Sequence, residues 1–183
     1  MAGQEKPKFR FEPLDKRVHN RAAFSCEHEA LNIYLKEKAS QEVQKRVAAV
    51  YVLTPDGKTI AGYYTLSHYT IEPGELPEEA VKRLRLPKYD KLPATLLGRL
   101  ARSQQFKGAG LGEILLMGAL EKALLHSRNI ASLAVIVDAK DEKARNFYLS
   151  YGFVALPDHP NRLFMLIETI EQLFRESAAL SQP

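Results

Sequence analysis

The residues in this chain best suited to chemistry fall in one short stretch, Gln105-Phe106-Lys107-Gly108-Ala109-Gly110-Leu111-Gly112-Glu113. Glycines at alternate positions free the backbone from Cβ, so successive amide N–H groups can turn toward one point. The apolar run that follows predicts a helix from about Gly110, and its unpaired first N–H groups and positive dipole end add to the same seat. Such a seat takes an anion, most often a phosphate or diphosphate. Spacing narrows the kind. No G-x-x-x-x-G-K-[S/T] phosphate loop occurs, and a dinucleotide fingerprint fails because Glu113 stands where its third glycine belongs. The preceding strand is also too polar for that fold, with Arg99, Arg102, Ser103 and Gln104. What remains is Gln105-x-x-Gly108-x-Gly110, for which the alternative is a plain surface turn with Gln105 and Lys107 merely exposed. His19, His28, His68, His126 and His159 are scattered without metal-ligand spacing, so no metal is expected. His68, ending a strand, is the one placed to line an acceptor pocket. Cys26 sits among apolar residues at a helix start, which favours packing over nucleophilic catalysis.

The elements that must position this stretch can be read in order. Phe9–Leu14 alternates apolar and polar and predicts a strand ended by Pro13. Ser25 is placed to cap a helix over about 27–45, where Leu31, Tyr34, Leu35 and Ala39 keep helical spacing. Val47–Leu53 and Ile60–Leu66 predict an antiparallel hairpin about the turn Thr54-Pro-Asp-Gly57. Residues 72–90 are a surface excursion of mixed charge, with a short helix starting at Pro77-Glu78-Glu79. A strand from Thr95 leads into the glycine turn. Ten of the fifteen residues Leu111–Leu125 are apolar, so this helix must be covered on more than one side. Ala131–Val137 is nearly unbroken and β-branched, the mark of a strand buried on both faces. Strand, helix and strand at this length make a right-handed crossover with parallel pairing. Asp141 caps a second helix to Ser150, Gly152 stops it, and Phe153-Val154 and Leu163–Ile167 close the sheet. The expected fold class is therefore α/β, a mixed, mostly antiparallel sheet of six to seven strands. It has a central parallel βαβ crossover and helices on both faces.

A chain of 183 residues with 45% hydrophobic and 26% charged content is most simply one globular domain over 1–183, with loose ends at 1–8 and 177–183. The single cysteine excludes an internal disulfide and suits a reducing compartment. No stretch reads as a signal peptide or membrane span, and a cytoplasmic location is expected. The net charge of +4 points mildly toward anionic ligands.

With this order of elements, the [Q/R]-x-x-G-x-[G/A] pattern at Gln105 resembles the GNAT superfamily of acyl-CoA N-acetyltransferases, over nearly the whole chain. More local strings resemble one branch. They are Phe24-x-Cys26 before a helix with Ala30-Leu31 and Tyr34-Leu35, Leu97-Gly-Arg-Leu-Ala101, Val137-Asp-Ala-Lys140 and Phe147-Tyr-x-x-Tyr-Gly-Phe153. That branch is the TacT/AtaT-type toxins of bacterial toxin–antitoxin pairs, which acetylate the amino group of aminoacyl-tRNA and block translation. Glu27-His28 departs from it, since the branch usually has glycine after the cysteine. The departure is expected to affect helix entry more than chemistry.

The resemblance implies acetyl-CoA as cosubstrate, held by Gln105 to Glu113, by the backbone of Leu100, Ala101 and Arg102 along the pantetheine arm, and by Asn146. It gives Tyr148 the role of proton donor to the leaving thiol. An α-amino acceptor, with a reference pKa of roughly 7.7–8.0, needs no strong general base. The spacing leaves another reading, because Ala144, Phe147, Tyr148 and Tyr151 share a helical stripe and Tyr148 fits an ordinary core aromatic. Lys36, Lys45, Arg46, Arg83, Arg85 and Lys88 would meet an RNA backbone. The branch further implies a ribbon-helix-helix antitoxin and a homodimer, with no membrane. The alternatives are an N-acetyltransferase for a small-molecule or protein amine, and a non-catalytic CoA-binding regulator.

Overall fold

The computed structural model describes residues 8–86 and 89–180. Among them, seven strands form one sheet in the order β1-β2-β3-β4-β5-β7-β6. They are β1 (Arg10–Pro13), β2 (Ala49–Thr54), β3 (Gly62–Ile71), β4 (Leu92–Arg102), β5 (Ala134–Asp138), β6 (Val154–Leu156) and β7 (His159–Leu166). Strands β4 and β5 pair in parallel through Thr95↔Val135 to Leu97↔Val137, joined by a helical crossover as expected. The pairs β1/β2, β2/β3, β5/β7 and β6/β7 are antiparallel. The helices are α1 (Glu29–Ile33), α2 (Ala39–Gln44), α3 (Glu78–Leu84), α4 (Leu111–Ser127), α5 (Glu142–Ser150) and α6 (Ile167–Leu180). The chain forms two compact units, one holding residues through Leu66 with Arg99–Ala119, the other Ser67–Gly98 with the residues from Leu120.

In the first unit the core gathers Phe24, Leu31, Tyr34, Leu35, Val50, Val52, Tyr63 and Ala101. The expected helix over 27–45 is broken into α1, a π-helical turn Tyr34–Lys38, and α2. Tyr34 explains the wider turn. Its ring is buried under the Arg99 guanidinium, 3.6 Å from the centroid, and its hydroxyl donates to Glu42 at 2.7 Å. The helix entry also differs from expectation. His28, not Ser25, occupies the N-cap, and no side chain caps the helix. Asn32 holds the preceding residues out of the helix, its Oδ1 accepting from Cys26 N–H at 2.8 Å and its Nδ2 donating to Cys26 C=O at 3.2 Å. Cys26 is buried in this core, in line with packing.

The second unit packs Ile71, Leu92, Ala94, Ala134, Ile136, Phe164 and Leu166. Asp141 caps α5, as its position predicts, its Oδ1 accepting from Ala144 N–H at 2.7 Å. Helix α6 is not among the elements expected from the sequence, although Ile167, Ile170, Leu173 and Phe174 keep helical spacing. The last strand ends at Leu166 and the chain turns directly into α6, anchored by buried Ile170 and an Arg175–Glu171 pair at 3.1 Å. Ser177–Leu180 continue that helix, in place of the expected loose end.

Candidate active site

In the first unit β4 delivers the chain to the glycine turn through a fixed corner. Ser103 is buried; its N–H donates to Ala61 C=O at 2.8 Å, and its Oγ accepts from Gln105 N–H at 3.3 Å. Gln104–Phe106 form one 3₁₀ turn. Phe106 meets Phe9 edge-on at 5.6 Å between centroids, which pins the turn from below. Gly108 and Gly110 both adopt left-handed backbone, φ +87° and +70°, and no atom lies within 4 Å of where a Cβ would stand. Gly112 needs no such freedom, since it lies in the first turn of α4. Buried Leu111 anchors the start of α4, and the first helical bond runs from Ile114 N–H to Gly110 C=O at 3.4 Å. The N–H groups of Leu111, Gly112 and Glu113 thus precede the helical ladder, beside exposed Gly108, Ala109 and Gly110. This is open, left-handed, donor-rich backbone. It fits a diphosphate, and the residues present fit the phosphate-bearing part of acetyl-CoA.

Gln105, Lys107 and Glu113 are exposed on this turn. Lys107 is not idle. Its Nζ lies 3.9 Å from Glu27 Oε1, and the same carboxylate oxygen lies 3.8 Å from Arg102 Nη2. Glu27 therefore sets a negative charge between two cations of the expected cofactor stretch. Sequence reasoning assigns Glu27 to helix entry alone; its only signal there is an acid where glycine is usual. Leu100, Ala101 and Arg102 end β4 beyond Leu97, where the parallel pairing with β5 stops, so their backbone lies outside that ladder.

In the second unit α5 carries Tyr148, 8% exposed, with its ring edge-on to Phe147 and Phe153 at 5.4 Å each. The ring packs as a core aromatic, and burial pushes the phenol up to about 12. A phenol so displaced keeps its proton at neutral pH and is a donor, not a phenolate base. Asn146 is exposed on the same helix. His68 is exposed within β3, which runs on to Ile71, instead of ending a strand. Among the described residues no cluster of three or more metal-ligating side chains occurs.

The expected RNA-facing cations fall in both units. In the first unit Lys36, Lys45 and Arg46 are exposed, Arg46 with left-handed φ of +57°. In the second, Arg85 is the left-handed C-cap of α3, and Arg83 is paired with Glu168 at 3.7 Å. Lys88 lies outside the described residues.

No family model matches the chain. It is 32% identical over 170 residues to a probable TacT toxin of Sinorhizobium fredii, covering 88% of this chain and 93% of that one. A tRNA-acetylating toxin of Mycobacterium tuberculosis is 28% identical over 151 residues, 82% of this chain and 88% of that one. Among solved structures, AtaT complexed with acetyl-methionyl-tRNAfMet superposes with a TM-score of 0.82 at 31% identity, over 91% of this chain and 99% of that one. A tyrosine-to-phenylalanine mutant of AtaT, bound to the C-terminus of the antitoxin AtaR and acetyl-CoA, gives 0.77 at 27% identity, over 92% and 99%. With a left-handed glycine turn before α4, a seven-stranded sheet with one parallel pair, and a relative this similar over nearly its full length, the chain belongs to the GNAT-fold acetyltransferase toxins of bacterial toxin–antitoxin systems.

Proposed function

We propose that the whole chain acts as one catalytic domain, an acetyl-CoA-dependent N-acetyltransferase that acetylates the α-amino group of aminoacyl-tRNA and thereby blocks translation. The observation that carries this is the open turn at Gly108 and Gly110 in a chain related over 88% of its length to a probable TacT toxin. Acetyl-CoA supplies, when bound, an acyl group already activated as a thioester. The amides of Gly108 and of Gly110 to Glu113 hold its diphosphate in the turn that Ala109 N–H closes on Phe106 C=O, the backbone of Leu100 to Arg102 pairs with its pantetheine arm, and Asn146 assists in holding it. Tyr148 keeps a proton on its phenol, available to the departing sulfur. The acceptor needs no strong base, since an α-amino group is already partly neutral near pH 7. The protein works in the cytoplasm as a homodimer and is held in check by a ribbon-helix-helix antitoxin.

The test is incubation with labelled acetyl-CoA and charged total tRNA. Label should enter the RNA fraction, leave with the aminoacyl group on mild alkaline hydrolysis, and fall roughly a hundredfold or more in rate for Tyr148→Phe. Label found only on polyamines, small amines or peptides would overturn the RNA assignment. No transfer at all, with Tyr148→Phe as toxic in cells as the native chain, would leave a CoA-binding regulator.

A further inference from the structure

One cleft of the first unit shares only Lys36 with the groups assigned above. It is an open cavity of about 360 Å³ lined by Lys16, His19, Asn20, Arg21, Ala22 and Lys36. No carboxylate lines it. The acids nearest in sequence are otherwise engaged: Asp15 takes Arg17 at 2.9 Å, and Glu12 takes His19 Nε2 at 3.0 Å. Among the described residues no ion pair occupies Lys16, Arg21 or Lys36, so three cations face one opening.

The fold builds this arrangement. The wider backbone of the π-helical turn turns carbonyls outward, and Arg21 Nη1 donates to two of them, Lys36 C=O at 2.8 Å and Leu35 C=O at 3.4 Å. Arg21 thereby fastens the connection before α1 to the turn that carries Lys36. Asn20 is fixed in the same way, its N–H donating to Lys58 C=O at 2.9 Å and its Oδ1 accepting from Ala23 N–H at 3.3 Å. His19 has both ring nitrogens engaged, Nδ1 accepting from Asp15 N–H at 3.0 Å, so the floor is rigid and the two lysines at the rim are exposed.

We propose that this cleft, between the Asp15–Ala22 connection and the π-helical turn, seats a phosphodiester of the RNA substrate's backbone on Lys16, Arg21 and Lys36. The chemistry favours a polymer backbone over a small metabolite. The one ring in the lining, that of His19, is buried with both nitrogens engaged and leaves no face open to stack a base, and the amides of His19, Asn20 and Arg21 are already spent, while long flexible cations around an open cleft suit sequence-independent contact. The assignment rests on the reading that the acceptor is a charged tRNA. Lys36 keeps the role expected from sequence, now beside Lys16 and Arg21, which the sequence did not single out.

The experiment measures binding of uncharged tRNA by the full chain across a KCl series, together with KM for charged tRNA and for acetyl-CoA. It compares the native protein with Lys16→Glu/Lys36→Glu and with the milder Lys16→Gln/Lys36→Gln. Each lysine–phosphate pairing removed should reduce the log–log salt slope by about 0.9, so roughly 1.8 for both lysines, and KM for charged tRNA should rise about tenfold. KM for acetyl-CoA and the melting temperature should stay as in the native chain for the glutamine pair. An unchanged slope and unchanged RNA affinity in the glutamate pair overturn the proposal. Inorganic pyrophosphate serves as the small-anion probe: if both double variants lose pyrophosphate binding yet bind RNA as before, the site takes a free anion and the proposal likewise falls. Because uncharged tRNA binding is read directly, a failure of acetyl transfer to charged tRNA is seen separately from a failure of the cleft.

Discussion

Glu27 places its carboxylate 3.8 Å from Arg102 and 3.9 Å from Lys107, where the proposed cofactor phosphates need positive potential. All three side chains are partly or well exposed, so the pairs are weak, and the like-charge opposition to a diphosphate is the same size. Glu27→Gln is therefore expected to lower KM for acetyl-CoA by a factor of about two to five, with kcat unchanged. Isothermal titration with CoA gives the same comparison without turnover, and an equal or weaker affinity would show that the acid orients the two cations more than it opposes the ligand. Tyr148 illustrates a different residue-level rule. Its ring is fixed by Phe147 and Phe153, and the burial that fixes it also retains the phenolic proton.

At the level of elements, α5 depends on its first turn. It has nine residues, Glu142–Ser150, too few to be stable by propensity alone, so the cap at Asp141 and the buried stripe decide its position. Asp141→Ala removes the acceptor for Ala144 N–H and should cost about 1 kcal/mol. For a chain of this length that lowers the melting temperature by about 2–4 °C. A calorimetric scan showing no shift would mean that α5 is held entirely by its aromatic face. This cap is legible in the sequence because it is a local device, one acid three residues before its donor. The broken helix at Tyr34–Lys38 is not. Leu31, Tyr34, Leu35 and Ala39 keep helical spacing, and the wider turn arises where Arg99 covers Tyr34 from a distant strand. Helix α6 is legible in the helical spacing of Ile167, Ile170, Leu173 and Phe174, but the apolar run of β7 passes into Ile167 without a glycine or proline, so the strand pattern masks where the helix starts.

Across the whole molecule, the acids with the strongest perturbation gather in the first unit. Arg10 and His19 hold the Glu12 carboxyl below its usual value. Arg17 draws Asp15 down to about 2. The Thr59 and Lys58 amides, with the Thr59 and Thr54 hydroxyls, hold Asp56 lower still at the β2–β3 turn. Groups with depressed folded values stabilise fully above their unfolded pKa of about 4, and that contribution is lost as pH falls toward the folded values. Hydrogen exchange at pH 3 against pH 7 should thus show Arg10–Leu66 losing protection before the second unit. Earlier loss in the second unit would assign acid sensitivity elsewhere. What the amino-acid order determined alone was whatever neighbours within a few residues decide: the glycine turn at Gly108 and Gly110, the cap at Asp141, the alternation that builds β1, and the two apolar runs and turn that build β2 and β3. Tertiary structure decided what distant residues must share, namely Glu27 between Arg102 and Lys107, and Arg21 clasping the turn of Lys36 beside Lys16. Charges act through space over several ångströms, and only the folded chain specifies which of its many exposed cations and acids come that near.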